Sequence, residues 1–227
     1  MTILQIETAT TVCSVALARD GHVIAVKELD ERNIHAEVIT LYIDELIKQT
    51  GIGYSELDAV AVSSGPGSYT GLRIGVSTAK GLCFSLDKPL ISVETLAAMA
   101  QGMIAKDSID PNTLLCPMID ARRMEVYTAL FDAAGNVVKP TAAEIITEGS
   151  FSDYLGNNKI LFFGDGAAKC SDVIGESPNA TFISDFSNSA THLTLKAAEK
   201  FVSAEFEDVA YFEPFYLKDF LVTQKKA

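Results

Sequence analysis

The sequence predicts a duplicated α/β fold, two lobes that each hold a mixed sheet flanked by helices, over residues 1–107 and 108–227. Three observations carry this. Strand-like runs recur in the same order in both halves, and each half opens on three of them in succession. In each half a short apolar run then breaks at a glycine turn, Gly65-Pro66-Gly67 in the first and Gly164-Asp165-Gly166 in the second. Helical stretches lie between such runs, as crossovers between parallel strands require.

Ile3 to Ile6, Val12 to Ala18 and His22 to Lys27 read as an antiparallel meander, the last two joined by an Asp20-Gly21 turn. From His35 to Gln49, Val38, Ile39, Tyr42, Ile43, Leu46 and Ile47 recur at helical spacing, and Gly51 follows the last turn. Asp58 to Ser63 has the apolar run of a strand buried on both faces. Past its Gly-Pro-Gly break, a second helix covers Thr70 to Ser85, Pro89 to Val93 forms another strand, and a helix begins near Glu94. After the polar, turn-rich Asp107–Pro111 the pattern restarts with Leu114 to Ile119, Met124 to Phe131 and Val137-Val138, turning at Ala133-Ala134-Gly135-Asn136. A shift of 113 residues lays Ile6-Glu7 on Ile119-Asp120 and Val15-Ala16-Leu17 on Thr128-Ala129-Leu130, so each half places an acidic residue between its first two strands. Lys159 to Phe163 is the second buried run. A helix from Thr191 to Phe206, carrying Leu193, Leu195, Ala197, Ala198, Phe201 and Val202, is expected to close the second lobe. Order is expected to continue through Glu213–Asp219 and to end at Lys225-Lys226-Ala227.

Eighteen Lys and Arg against 30 Asp and Glu leave a net charge of −12. Split after Asp110, the halves hold 8 basic against 14 acidic residues and 10 against 16, so each carries −6 and neither conceals a basic face. Direct electrostatic capture of RNA or DNA needs such a face, so a nucleic-acid role would run through a partner. The opening MTILQIETAT reads as a strand rather than a leader, and a soluble, cytoplasmic protein is the expectation. Cys13, Cys83, Cys116 and Cys170 are widely spaced in apolar segments and form no C-x-x-C pair, the pattern of buried reduced thiols.

The run Ser64-Gly65-Pro66-Gly67-Ser68-Tyr69-Thr70-Gly71-Leu72-Arg73-Ile74-Gly75 leaves a strand and enters a helix. Glycines there expose successive backbone N–H groups at a positive helix end, which suits an anion; the same glycines serve equally in a structural turn. The spacing is not that of a Walker A loop, because Lys80 lies too far along the helix. Two lobes with a cleft between them also match the actin-like (ASKHA) layout. On that layout Glu7 with Thr8 and Thr10, Gly65, Gly67 and Ser68, Asp120 with Arg122, and Gly164 with Gly166 stand where nucleotide and metal are held. For each the alternative is local: caps at turns, an Arg122–Glu125 surface pair, a strand-to-helix turn. Gly71, Gly75 and Ala79 make a stripe of small residues along one helix face, which admits close packing against either this lobe's own sheet or a partner helix.

The run SSGPGSYTGLRIGVSTAKGL, the opening ILQIETATTVCSVAL, the segment Ile119-Asp120-Ala121-Arg122-Arg123-Met124-Glu125-Val126-Tyr127 and the tail Glu213-Pro214-Phe215-Tyr216-Leu217 together resemble the TsaB (YeaZ) family over nearly the whole chain. The resemblance implies an actin-like scaffold subunit required for N6-threonylcarbamoyladenosine at position 37 of tRNAs that read ANN codons. It implies direct pairing with the catalytic subunit TsaD, with the ATPase TsaE joining them, tRNA met only through the complex, and self-association through the same face. No cofactor is required on this reading, and ATP or ADP in the cleft is an open question. TsaD carries a His-x-x-x-His metal pair on the helix that begins near Glu94 here; Thr95 and Met99 stand in those places, and a hydroxyl and a thioether are poor ligands for such an ion. His22, His35 and His192 lie in separate segments and cannot rebuild the pair; His35 is expected at a helix cap or on the surface. Glu7 departs from the family's commoner Asp. The family's contact, a bundle of first-lobe helices, places the partner surface on His35, Val38, Ile39, Tyr42 and Leu46 of the first helix and Gly71, Leu72, Gly75, Val76 and Ala79 of the second. The alternative function is an ATP-dependent acyl or sugar kinase of the same fold.

Overall fold

A computed structural model describes residues 1–106, 108–175 and 177–218. The expected lobe boundary at residue 107, the last residue of the Glu213–Asp219 run and the Lys225–Ala227 end lie outside the described residues. The first sheet contains β1 (Thr2–Glu7), β2 (Val12–Arg19), β3 (His22–Asp30), β4 (Ala59–Ser63) and β5 (Leu90–Val93), in the order β3-β2-β1-β4-β5. α1 (His35–Thr50) and α2 (Tyr69–Leu86) cover one face of it, and α3 (Thr95–Lys106) follows β5. The second sheet has β6 (Thr113–Asp120), β7 (Glu125–Phe131), β8 (Val137–Ile145), β9 (Lys159–Phe163) and β10 (Ala180–Ile183), in the order β10-β9-β6-β7-β8. Read from the opposite edge, that is the first lobe's order, so the fold is the duplicated actin-like arrangement the sequence predicts. Single-turn helices α4 (Ser152–Leu155) and α5 (Ser171–Ile174) flank β9. A 3₁₀ turn over Ala190–Leu193 leads into α6 (Thr194–Val202).

Each sheet mixes pairing as its connections dictate. Two hairpins in each lobe make β1–β2–β3 and β6–β7–β8 antiparallel, whereas helical crossovers make β1–β4–β5 and β6–β9–β10 parallel. The repeat differs by one residue from the uniform 113-residue shift. Ile6 pairs with Val15 and Met118 with Thr128, so the shift holds for Val15 on Thr128, while Ile6 corresponds to Met118 rather than Ile119. The second hairpin has one residue more between these equivalent pairs, so a rigid shift keeps Cys13 and Leu17 on the face of Val126 and Leu130 but lays Ile6 on Ile119, which faces the other way.

The last helix of each half packs on the other half's sheet. Leu96, Met99, Ala100 and Met103 of α3 share a core with Leu115, Ile119, Ala129, Phe131 and Phe163 of the second sheet. Ala197 of α6, with Leu193 before it, packs against Ile3, Ala59, Ala61, Ile91 and Val93 of the first sheet. The expectation that the Thr191–Phe206 helix closes the second lobe is therefore corrected. Its helical part is also shorter, and Leu195 and Val202 stay exposed, because the stripe Leu193, Ala197, Phe201 alone meets the sheet. A cut at 107 would separate both helices from the cores they fill. Between them the half-buried His192 packs against Gly102 and the Phe186 ring, and desolvation pushes its pKa down to about 4, so it is neutral at physiological pH. All four cysteines are free and buried. Among the described residues no helix is long and apolar enough to cross a membrane.

The α2 glycines exist because β1 runs directly beneath them. A Cβ on Gly71 would stand 2.1 Å from the Thr8 carbonyl oxygen, and one on Gly75 would stand 2.2 Å from Thr8 Oγ1. Gly81, two turns on, faces open space. Gly71→Ala is therefore expected to lower unfolding stability by about 2 kcal/mol through overpacking against backbone that cannot yield. Gly81→Ala is expected to raise it by about 0.5–1 kcal/mol, as helix propensity dictates in an exposed helix interior. Urea denaturation of both variants checks the pair of signs.

Candidate functional site

The glycine-rich loop between β4 and α2 is held from two sides. From the β1–β2 turn, the Ala9 carbonyl accepts the Ser68 N–H at 2.6 Å, and a Cβ on Gly67 would lie 2.4 Å from the same oxygen. From the C-terminal tail, the Phe215 N–H donates to the Ser64 carbonyl at 2.7 Å, and the Phe215 carbonyl lies 2.6 Å from where a Gly65 Cβ would sit. Gly65, at φ 111°, adopts a backbone conformation that only glycine takes without strain. Three of the loop amides are spent within the protein: Gly65 N–H on Thr95 Oγ1 at 3.1 Å, Ser68 N–H on Ala9, and Gly71 N–H on Ser68 Oγ at 3.2 Å. Of the two readings of this run, the geometry is that of the structural turn. The Gly65 and Ser68 amides both turn inward onto the protein.

The acidic positions behave in the same local way. Glu7 is fully enclosed, its Oε1 accepting the Ala9 N–H at 2.6 Å and the Ser63 hydroxyl at 3.0 Å. No cation neutralises it within ion-pair distance among the described residues. Burial raises its pKa to about 7, with the two hydrogen bonds opposing that rise only in part. Thr8 and Thr10 are buried beside it; Thr8 Oγ1 has no hydrogen-bond partner and lies over Gly75, while Thr10 Oγ1 accepts the Val12 N–H. In the second lobe Asp120 caps its own turn, accepting the Arg122 N–H at 2.7 Å and pairing with Lys169. Asp165 Oδ1 accepts the Asp120 N–H at 3.0 Å, and the Gly166 N–H donates to the Met118 carbonyl, so the Gly164–Gly166 turn is tied to the end of β6. Burial holds the Asp165 carboxyl above its usual range. The expected Arg122–Glu125 pair is replaced: Glu125 pairs with Lys218 of the tail, and Arg122 is exposed at φ 73°.

The helix residues assigned to a partner surface divide by burial. His35, Ile39, Leu46, Gly71, Leu72, Gly75, Val76 and Ala79 are buried within the first lobe, and only Val38 and Tyr42 are partly open. A helical stripe of apolar and small residues packs on its own sheet because that is where water is most fully excluded. His35 is neither cap nor surface residue; its Nε2 lies 3.1 Å from the Val12 carbonyl and pins α1 to β2. What α1 and α2 do present outward lies off the stripe: Leu41 at 57% exposed and Phe84 at 85%. A groove of about 260 Å³ accompanies them, lined by Thr40, Ile43, Tyr54, Ser77, Thr78, Gly81 and Leu82. The sequence signal for Leu41 and Phe84 is a large apolar side chain at a helix position out of phase with the buried stripe.

The metal-pair positions also have structural occupations. Thr95 is fully buried and its hydroxyl accepts the Gly65 N–H, while Met99 lies in the second core with its Cε beside Gly164. These two side chains do not fit a metal. Among the described residues no group of three or more His, Cys, Asp or Glu side chains is placed to hold one.

Residues 26–224 match the model of the family described as TsaD, tRNA N6-adenosine threonylcarbamoyltransferase. The chain is 39% identical over 127 residues to the tRNA threonylcarbamoyladenosine biosynthesis protein TsaB of Haemophilus influenzae, covering 56% of this chain and 52% of that protein. It is 41% identical over 136 residues to the protein of the same description from Escherichia coli, covering 60% of this chain and 57% of that protein. The match thus spans little more than half the length of these curated relatives. In fold it is similar to a Pseudomonas aeruginosa protein described as uncharacterised with similarity to peptidase YeaZ, with TM-score 0.84 at 24% identity over 96% of this chain and 99% of that one.

Glu7 makes stability pH-dependent in a stated direction. Its folded pKa of about 7 lies above the ordinary carboxylate value, so the folded state holds the proton more tightly than the unfolded state. The stability Glu7 contributes is complete below the unfolded pKa and is lost as pH rises through the folded one. Relative to wild type, Glu7→Gln is therefore expected to gain on the order of 3 kcal/mol as pH rises from about 4.5 to above 7. Urea titrations of the two proteins at both ends of that window measure the difference, and a gap that does not move with pH contradicts it.

Proposed function

The chain belongs to the TsaD family, that of tRNA N6-adenosine threonylcarbamoyltransferase, and from that premise we propose that it is an accessory subunit rather than the catalyst. In this reading it acts as the relatives named TsaB are named, in tRNA threonylcarbamoyladenosine biosynthesis. It binds TsaD directly, joins TsaE in the larger complex, and is required for the modification at position 37 of tRNAs that read ANN codons. The lobe division of 1–107 and 108–227 remains part of the reading as a description of two sheets, with α3 and α6 exchanged between them.

The observation that carries the accessory role is the employment of Thr95 and Met99 in packing and in a loop hydrogen bond, at the two positions where a metal-binding histidine pair would stand. A kinase of the same fold would need free loop amides for phosphate, and here Gly65, Ser68 and Gly71 spend theirs on the protein. No cofactor enters this reading. The −12 charge directs tRNA to the partner subunits, because this chain cannot displace counterions from phosphates by itself. The partner surface is the outward face of α1 and α2, centred on Leu41, Phe84 and the groove between the helices; a second copy of the chain can use the same face. It operates in the cytoplasm, where tRNA is modified.

Depleting the protein and quantifying the modified nucleoside in total tRNA by mass spectrometry tests the role; unchanged levels after complete depletion would sink it. Phe84→Asp tests the face. With its side chain 85% exposed, folding is expected to be intact, whereas affinity for TsaD falls by about tenfold or more, read by titration calorimetry.

A further inference from the structure

The two sequence runs that the accessory role leaves unexplained, the glycine-rich stretch and the Glu213–Leu217 tail, meet across one recess of about 370 Å³. Its floor is α2, through Tyr69, Arg73, Val76, Ser77 and Lys80, and its wall is the tail from Phe212 to Tyr216. The Tyr216 ring lies 4.8 Å from that of Tyr69, and the Arg73 guanidinium sits 5.1 Å from the Tyr69 centroid. Lys80 Nζ donates to the Ala210 and Phe212 carbonyls at 3.2 and 2.9 Å, which fastens the tail and leaves the ammonium charge unneutralised. Neither Arg73 nor Lys80 forms an ion pair with a described residue, and Glu213 lines the recess beyond salt-bridge distance of both. In a chain of charge −12 this is a local surplus of positive charge, held in place by ring stacking and backbone carbonyls.

Ser77 lines both this recess and the α1–α2 groove, so the two adjoin on the outward side of α2. We propose that the recess between α2 and the C-terminal tail receives an acidic side chain, an Asp or Glu, of the protein that docks on the α1–α2 face. The inference rests on the partner surface described above. Arg73 supplies a planar fork for the carboxylate, Ser77 a hydroxyl, and Lys80 a second positive charge behind them. Cover by the partner excludes water and strengthens the pairing, whereas a free small anion would leave it open to solvent and screened.

The test is titration calorimetry of the full chain with purified TsaD at low and high salt. Arg73→Glu is expected to weaken binding by about tenfold at low salt and to flatten the salt dependence, Arg73→Lys to lose less, because it keeps the charge without the fork. Normal binding by Arg73→Glu alongside lost binding by Phe84→Asp overturns the recess and leaves the face standing. Normal binding by both overturns the face, and the recess with it. A thermal shift of the free protein with sodium glutamate or phosphate that Arg73→Glu abolishes, while affinity for TsaD stays unchanged, marks a small-anion site and also overturns the proposal. Arg73 is exposed, so the variant is expected to fold; should Arg73→Glu fail to, Arg73→Gln carries the same comparison.

Discussion

Much of the first lobe depends on one close approach, that of the Thr8–Ala9 turn to the start of α2. Gly67, Gly71 and Gly75 all face those two residues, and any Cβ there would fall within 2.1 to 2.4 Å of a Thr8 or Ala9 oxygen. The contact sets the distance from β1 to the helix and brings Ser68 N–H onto the Ala9 carbonyl. It also directs Leu72, Val76, Ala79 and Cys83 into the core. Because the helix is pressed so near the strand on one side, its other side is the surface that remains: Arg73, Ser77, Gly81 and Phe84. The same constraint thus closes the loop that looks like an anion cradle and defines the outward helix face.

Periodicity carried the fold a long way. The α1 and α2 stripes, the Gly51 stop and the two parallel-strand runs appear within a residue or two of their predicted ends, since each follows from local burial and turn chemistry. It carried the candidate site less far, because a stripe of Gly71, Gly75 and Ala79 has the same spacing whether it meets its own sheet or another molecule. Only the position of Thr8 decides between them. β10 escapes notice because ATFI is four residues between turns, too short for a period. The destination of α6 escapes for a different reason: amphipathicity identifies the face that is buried, not which sheet buries it.

The start of α6 and the turn before it tie the lobes together through polar contacts as well as apolar ones. Ser14 Oγ accepts the Ala190 N–H and donates to Glu28, Ser189 also donates to Glu28, and Thr194 donates to Gln5 Oε1. This seam has two titrating neighbours of opposite sense. Glu7 on the first lobe favours the folded state more as pH falls from about 7, while His192, whose pKa is pushed down to about 4, favours it less as pH falls below its ordinary value of 6.5. Across the mildly acidic range the two effects oppose each other, so the wild-type stability profile is flatter than either group alone would make it.

An actin-like fold is usually argued from what its cleft holds, yet here the residues at the cleft positions are engaged with one another. Asp120 takes Lys169 and the Arg122 amide, Asp165 takes the Asp120 amide, Glu7 takes Ser63 and Ala9, and Thr95 takes Gly65. The Glu7 and Thr95 pairings are buried, so replacing them by ligand contacts would first require breaking buried hydrogen bonds, whereas those of Asp120 and Asp165 lie at the surface. Buried pairings of this kind hold the β1–β2 turn and the glycine-rich loop in one arrangement, which supports the accessory role proposed above. Rigidity is what a docking surface needs, since a face already held in its bound shape loses little entropy when a partner settles on it. The tail fits the same logic: Lys80, Ser64 and Glu125 fasten it at three points along its length, so the wall it adds beside α2 is tied to both lobes.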